Sequence, residues 1–391
     1  MFSKNKVLLF TDTAEVRYVD GTAIDKIACE LIKNEKDIVP VVRYVRDKKK
    51  NCFNKSIDVS IFEVLPLFTH FRFYAAALHG MDILDGLKSD YNLHLDFVPS
   101  IKGIVRAIVF WTNYLRKIKP ERIYVNCYYD SLKMAMTYAA KTMGIKVIEF
   151  QHGVLSHQHF AYNAFAKIVP NPYPDYLLSF GDNFKNMVSQ AIYEPESIKV
   201  VGSYYLDLVK SRLEINKKLF KEKYGMEKRT IITVASQVTI DKRLMEFYMR
   251  FAKSHKDFFV IFVPRFSEPH HSVSLPENFV IETELDIYQC MQNASIVSTG
   301  YSTCCLEALA LGKPVLCVDI DNLSVQGLKD FLVPETTLRM CNEDTDPIGI
   351  IEELAKISEE SIICEGNKYF ATGHNILLQK ALEEIIGEKK C

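Results

Sequence analysis

No stretch of this sequence approaches 18 consecutive apolar residues, which argues against an ordinary transmembrane helix. The apolar run FFVIFV at 258–263 is too short for that and reads as a buried strand. The first residues, MFSKNKVLLFTDT, lack a secretory apolar region followed by a small-residue cleavage site, so a cytoplasmic protein is expected. Ten cysteines are scattered along the chain and none forms a C-x-x-C pair. That disfavours a disulfide framework or a cysteine zinc site, and predicts reduced, mostly buried thiols. Repeats of 20–50 residues and low-complexity tracts are also absent, which excludes solenoids and linker-type chains. Large net charge is missing too. The formal total is −1, with 26 Lys/Arg against 21 Asp/Glu in residues 1–200 and 22 against 28 in residues 201–391. The basic excess of the first half is too small to argue for nucleic acid. The opposite bias of the two halves suggests two domains.

What is present fits a soluble globular protein. The 391 residues, 48% apolar and 25% charged, are enough for two domains of ordinary size. In the first half, strands are expected at 6–11, 37–42, 122–127, 146–150, 175–180 and 198–201. Helices are expected at 22–33, 101–118, 131–143 and 183–193. The charged helix at 213–224 reads as the connection between domains. The pattern then restarts, with strands at 230–235, 258–263, 279–282, 295–298 and 315–318. Helices are expected there at 241–254, 286–293, 304–311 and 375–386. Strands alternating with helices imply an α/β fold of two Rossmann-like, doubly wound parallel-sheet domains, 1–210 and 211–391. In such sheets ligands lie beyond the carboxyl ends of the strands, and with two domains those edges can face each other across a cleft. Residues 51–100 are the least patterned. Phe68, Phe71, Phe73 and Tyr74 there could cover the sheet or shape a cleft.

The richest motif is S-T-G-Y-S-T-C-C-L-E-A-L-A-L-G-K-P-V-L-C-V at 298–318. It reads as a hydroxyl-rich loop at 299–303, a short apolar helix, a left-handed cap at Gly312, a stop at Pro314 and a buried strand. Loop hydroxyls and free N–H groups at a helix start favour an anion. Glu307 follows Thr303 by four residues, on the same helix face. A phosphate at the helix start and a carboxylate one turn in can hold the diphosphate and ribose of a nucleotide. An ordinary αβ unit with a Ser/Thr cap and a solvated Glu is the plain alternative.

A second motif, E-F-Q-H-G-V-L-S-H-Q-H-F-A-Y-N at 149–163, sets His152 just past a buried strand. A histidine there suits general-base work, because it titrates near neutrality. His157 and His159 read as ordinary histidines, and no metal ligand set is completed around them. Basic residues cluster at 43–50 and at Lys102, Arg106, Arg116, Lys117 and Lys119. They fit a solvated helix face, or contact with an anionic membrane.

The S-T-G-Y-S-T-x-x-L-E-A-L-A-L-G-K-P-V run resembles the donor-binding segment of GT-B glycosyltransferases. The Q-H-G segment, with P-D-Y-L-L-S-F-G-D at 174–182, resembles bacterial capsule and lipopolysaccharide glycosyltransferases. The resemblance implies an acceptor-side first domain, a nucleotide-sugar-binding second domain, and catalysis without a cofactor or essential metal. It implies a nucleotide sugar and a saccharide or lipid-linked acceptor as partners. Carried onto this chain, Gly300, Tyr301, Ser302 and Thr303 would form the donor loop, with Ser302 and Thr303 on the phosphates. Glu307 would bind the ribose. Ser236, Gln237 and Arg265 would face the same donor, Arg265 pairing with a phosphate, and Lys242 is a weaker candidate. His152 would deprotonate the acceptor hydroxyl or stabilise the leaving group. Asp12 or Glu15, in the loop expected at 12–20, is the rival base. The two glutamates eight residues apart of many retaining GT-B enzymes are absent, since Thr299 stands eight before Glu307. Asp319 and Asp321 match a D-x-D triplet but lie at a late strand end, and read as structural or sugar-contacting. A teichoic-acid-type CDP-polyol phosphotransferase, a sugar-nucleotide 2-epimerase and a non-catalytic nucleotide-sugar-binding subunit share parts of this signature.

Overall fold

The computed structural model describes residues 7–35, 37–43, 52–58, 80–169, 171–225, 229–265, 274–332 and 337–387. Phe68, Phe71, Phe73, Tyr74 and the basic run beyond Arg43 lie outside the described residues. The chain divides into two compact units. One comprises Met1–His152, Phe165–Leu178 and Ala191–Ile198, the other Gly153–Ala164, Ser179–Gln190 and Lys199–Cys391.

The strands of the first half are β1 (Val7–Asp12), β2 (Val16–Val19), β3 (Thr22–Asp25), β4 (Ile38–Arg43), β5 (Ile57–Asp58), β6 (Arg122–Asn126), β7 (Lys146–Phe150), β8 (Tyr176–Ser179) and β9 (Ile198–Val200). The helices are α1 (Cys29–Asn34), α2 (Met81–Asp90), α3 (Phe97–Ile118) and α4 (Ser131–Thr142). Seven strands form one sheet in the order β5-β4-β1-β6-β7-β8-β9. The interior strand β1 is buried at every position and pairs in parallel with β4 and β6. Such two-sided burial requires the continuous apolar run VLLF rather than an alternating pattern. Trp111 of α3 is fully buried and meets Phe10 of β1 edge to face, with ring centroids 5.2 Å apart. Lys102, Arg106, Arg116, Lys117 and Lys119 of that region are exposed.

Two expected elements of this half differ. Residues 22–33 are not one helix: β2 and β3 form an antiparallel hairpin, and only Cys29–Asn34 is helical. Asp20 and Gly21 both have positive φ, 50° and 74°, the Asp-Gly signature of a tight two-residue hairpin turn. Asp25 then accepts from the backbone N–H groups of Ile27 and Ala28, each at 2.9 Å, which ends the strand and starts the turn into α1. The expected loop at 12–20 is therefore a 3-10 turn at Thr13–Glu15 followed by β2. Residues 183–193 hold only a 3-10 segment, Asp182–Met187. Beyond it Ser189 bonds to the carbonyls of Tyr162 and Ala164 instead of to its own preceding turn, so tertiary partners win over helix propensity.

The second half holds α5 (Tyr204–Ser211), α6 (Leu213–Tyr224), β10 (Thr230–Ala235), α7 (Asp241–Ser254), β11 (Phe258–Val263), β12 (Phe279–Ile281), α8 (Ile287–Asn293), β13 (Ile296–Thr299), α9 (Cys304–Ala310) and β14 (Val315–Asp319). It continues with α10 (Leu323–Leu328), β15 (Leu338–Asn342), α11 (Ile348–Leu354), α12 (Glu359–Tyr369) and α13 (His374–Gly387). Six parallel strands run β12-β11-β10-β13-β14-β15. Leu244, Phe247, Tyr248 and Phe251 of α7 pack with Val234, Val260, Phe262, Ile296 and Leu316 of the sheet. The charged helix α6, expected as a connection, lies inside the second unit. Its Phe220 is buried with Ile231, Phe259 and Ile261.

Candidate functional site

In the first unit, the carboxyl ends of β1, β4 and β6 and the start of α4 bring Asp12, Arg43, Asn126, Asp130 and Lys133 together. Lys133 is 3% exposed, and its ammonium donates to Asp12 Oδ2 at 2.9 Å, to Asn126 O at 2.9 Å and to Asn126 Oδ1 at 2.8 Å. Arg43 bonds Asp12 Oδ1 at 2.6 Å and Oδ2 at 3.3 Å, and its other nitrogen lies 3.3 Å from Asp130. Burial alone would raise the Asp12 carboxyl, but Lys133 and Arg43 outweigh it and hold Asp12 below the usual carboxylate range. Both oxygens of Asp12 are engaged by cations, which makes it a weak proton acceptor. Glu15 is buried in the 3-10 turn, 3.2 Å from Lys26.

His152 follows β7 by two residues and is half-buried. Its Nε2 lies 3.1 Å from the hydroxyl of Tyr129. Tyr129 is set by Cys127, which takes a left-handed φ of 50° at the end of β6. Burial, then Cys127, Glu149 and Glu15, push the Tyr129 phenol up, so it stays protonated at neutral pH. Glu149 is fully buried, accepting from Tyr128 N at 3.1 Å and from Tyr193 Oη at 2.6 Å. Arg43, Lys133, Tyr129 and Glu149 were missed as site residues. Only the cluster C-Y-Y-D after β6 hinted at polar residues on this edge.

In the second unit, His157 is exposed. Its backbone N–H and Nδ1 face Asp330 at 2.7 and 3.2 Å, and Nε2 lies 3.0 Å from Asn186 O. His159 packs edge-on against Tyr162, and burial lowers its pKa.

The 298–318 motif folds as loop, helix and strand. Gly312 has φ 74° and bonds Leu309 O, while Lys313 N bonds Ala308 O. This is the left-handed double closure expected of the cap. The loop is shorter than expected. Thr299 belongs to β13, and its hydroxyl is spent on Ala235 O at 2.8 Å. Ser298 is buried between Tyr248 Oη and Leu316 O. A Cβ on Gly300 would stand 2.4 Å from Ile240 Cδ1 and 2.8 Å from Gln237 Oε1, so the ends of those two side chains would have to move. Gln237 is 5% exposed and its Oε1 accepts from Tyr301 N at 2.7 Å. Ser236 donates to Asp241, and Tyr301 shares a hydrogen bond with Thr239. Gln237 therefore braces the loop, whereas Ser236 is engaged at the start of α7.

Ser302 and Thr303 are half-buried. Ser302 Oγ accepts from Cys304 N at 3.3 Å, whereas the Thr303 side chain does not cap the helix. Glu307 is half-buried, with Oε1 accepting from Tyr288 Oη at 2.9 Å. Tyr288 is itself seated edge-on against Tyr205. It lies 19 residues before Glu307 and no local pattern announces it. Arg265, just past β11, is exposed. Lys242 is 84% exposed beside Glu246. Asp319 accepts from Ser324 N and Val325 N and so starts α10, while Asp321 pairs with Arg243.

No family model and no curated protein matches the sequence. Solved structures do. The fold aligns with the S. aureus MnaA–UDP co-structure at TM-score 0.58 and 14% identity, over 98% of this chain and 97% of that one. It aligns with CalG4, the calicheamicin glycosyltransferase, at TM-score 0.60 and 12% identity, over 100% of both chains. A UDP-GlcNAc 2-epimerase from Neisseria meningitidis bound to UDP-GlcNAc aligns at TM-score 0.54 and 15% identity, over 97% of this chain and all of that one. The fold is GT-B. Each half here is built on one main parallel sheet, the first also carrying the antiparallel β2–β3 hairpin, and the sequence-derived fold class holds. Among the described residues, no helix is long and apolar enough to cross a membrane.

Proposed function

We propose that this protein is a nucleotide-sugar-using glycosyltransferase of bacterial surface polysaccharide synthesis, with a saccharide or lipid-linked acceptor. The observation that carries the reading is Glu307. It stands one turn into the helix that follows the Gly300–Thr303 loop and is oriented by Tyr288, where a carboxylate suits the ribose of a nucleotide. Ser302, Thr303 and the loop N–H groups are assigned to the donor diphosphate and Arg265 to its outer oxygens, as charge stabilisation where charge develops. Gly300, Gln237 and Tyr301 shape that loop, and Ser236 is assigned to the same donor. The acceptor oxygen forms a bond to the anomeric carbon, the bond to the diphosphate breaks, and the nucleotide leaves with the electron pair. Glu15 and His152 are the groups assigned to the acceptor's proton and the leaving oxygen. Asp12 is the weaker base because of its two cations. No cofactor or essential metal is assigned. The exposed basic face of α3 supports work at the inner face of the cytoplasmic membrane.

A sugar-nucleotide 2-epimerase is the second reading, supported by the alignment to the N. meningitidis epimerase bound to UDP-GlcNAc. Calorimetric titration with UDP, CMP, GDP and dTDP, and with Glu307→Ala as control, tests both. Nucleotide binding is expected, with roughly tenfold or greater loss in the variant. No binding by any of the four to folded protein sinks both readings. Incubation with UDP-GlcNAc then separates them: an epimerised nucleotide sugar without acceptor, or acceptor-dependent release of UDP.

A further inference from the structure

We propose that the first half of α3, residues 97–110, is a docking element that seats the first unit on an anionic lipid bilayer beside its candidate site. The proposal deepens the reading of a lipid-linked acceptor given above and rests on it for the acceptor's place. One apolar stripe carries it, because the stripe loses its cover halfway along the helix. Phe97, Ile101, Ile104 and Ile108 run on into Trp111, Leu115 and Ile118 at alternating steps of four and three residues, the spacing of a single helix seam. Trp111, Leu115 and Ile118 are buried. No residue of α3 before Trp111 is buried, and Ile104 is 39% exposed.

Length explains the loss of cover. α3 has 22 residues and the following strand β6 has 5, so a helix of about 33 Å lies beside a strand of about 17 Å. Only residues 119–121 join them. Both are therefore level at the amino edge of the sheet, and the surplus helix projects past the carboxyl edge. Trp111 marks where the sheet runs out. It meets Phe10 with ring centroids 5.2 Å apart, and Phe10 pairs with Val125, one residue before the end of β6. Residues 97–110 thus stand on the side of the sheet where Asp12, Lys133 and His152 lie.

Charge selects the occupant. α3 carries Lys102, Arg106, Arg116 and Lys117 and no Asp or Glu. Lys102 and Arg106 are exposed and one turn apart, next to the stripe. The acid before the helix, Asp96, is spent as its cap on Val98 N at 3.0 Å. A helix with Phe and Ile on one face and Lys and Arg beside it suits the interface of an anionic bilayer. A second copy of the chain would suit the seam but not the charge, since pairing sets cations against cations with no acid on either helix to offset them. Seating 97–110 in the interface puts the carboxyl edge next to the head groups. The acceptor's reactive end then meets the site while its lipid stays in the bilayer.

The test is flotation of the full-length protein with vesicles of phosphatidylcholine alone, or of phosphatidylcholine with phosphatidylglycerol. The folded protein should float with the anionic vesicles, stay behind with the neutral ones, and be largely released at about 0.5 M salt. Ile104→Glu, and Lys102→Glu combined with Arg106→Glu, should each lower vesicle affinity roughly tenfold with an unchanged melting temperature. Ile376→Glu, at a 76% exposed isoleucine of α13, should leave it unchanged. Absence of flotation by the folded wild type with anionic vesicles overturns the proposal, as does equal flotation with neutral ones. Unchanged affinity in the charge variant also overturns it, and those exposed positions keep the test decisive if Ile104→Glu fails to fold. A wild-type dimer in light scattering that Ile104→Glu converts to monomer overturns it as well, and assigns the stripe to a second copy. Nucleotide titration is read separately. Protein that floats but binds no nucleotide keeps this docking surface and loses the glycosyl-transfer reading, and the reverse result loses only the docking surface.

Discussion

The two sheets share a parallel plan but place opposite chemistry on their carboxyl edges. The edge of the first sheet is charged and internally closed: Asp12, Arg43, Asp130 and Lys133 satisfy one another, and Glu149 is fully buried on two donors. The edge of the second sheet, around the 300–307 motif, is built from hydroxyls, amides and one carboxylate. Its buried polar groups, Thr299, Gln237 and Ser298, are likewise spent on the fold. What stays half-buried there is Ser302, Thr303 and Glu307. A polar residue at a strand end is thus as often a brace as a ligand. The difference lies in which lone pairs and protons neighbours have already taken.

The largest test of this contrast is Lys133→Met, which leaves buried Asp12 with Arg43 alone. Urea unfolding should show a loss of about 3 kcal/mol, and Asp12→Asn added to it should restore most of that. A loss under about 0.5 kcal/mol would mean the first edge is not closed as described.

The second unit keeps its own buried charge away from the 300–307 motif. Burial opposes ionisation of Glu282, but Lys223, Tyr224 and the N–H groups of Glu284 and Leu285 outweigh it and lower its pKa from 4.5 to about 2. A depressed carboxyl stabilises the fold above its unfolded pKa and loses that contribution as pH falls. Stability should therefore drop between pH 4.5 and about 2, by up to about 3 kcal/mol. Glu282→Gln should flatten that part of the acid titration, and an unchanged slope would contradict the assignment.

Gly300→Ala forces a Cβ to 2.4 Å from Ile240. About 1 kcal/mol of stability should be lost, with weaker nucleotide binding by calorimetry, because Gln237, which holds Tyr301 N, must shift. Tyr288→Phe removes the bond to Glu307. It should cost about 1 kcal/mol or less in stability and reduce the preference for ribonucleotide over deoxyribonucleotide several-fold. An unchanged preference would argue that Glu307 does not meet the ribose. The smallest effect belongs to Lys242→Ala, with stability within about 0.5 kcal/mol and nucleotide affinity unchanged. A clear loss of affinity would move that solvated lysine into the donor site.

Much of the fold was legible because parallel strands buried on both faces must be continuous apolar runs, as VLLF in β1 and FFVIFV in β11 are. The left-handed cap at Gly312 was legible for a local reason, a glycine between a short apolar helix and Pro314. The hairpin at 16–25 was misread because Ile24, Ile27, Ala28 and Leu31 mimic helical spacing. The stronger signal was Asp20-Gly21, which accepts positive φ in a two-residue turn.

Two parallel α/β halves, and the places where polar residues cross their carboxyl edges, follow from the order of residues alone. That information is local, carried by apolar periodicity, turn residues and caps. Which polar groups remain available was decided only by tertiary structure, because hydrogen bonds are filled by neighbours distant in sequence. Lys133 closes Asp12 across 121 residues, Gln237 meets Tyr301 across 64, and Tyr129 meets His152 across 23. No local pattern encodes those distances, since packing of one strand end against another sets them.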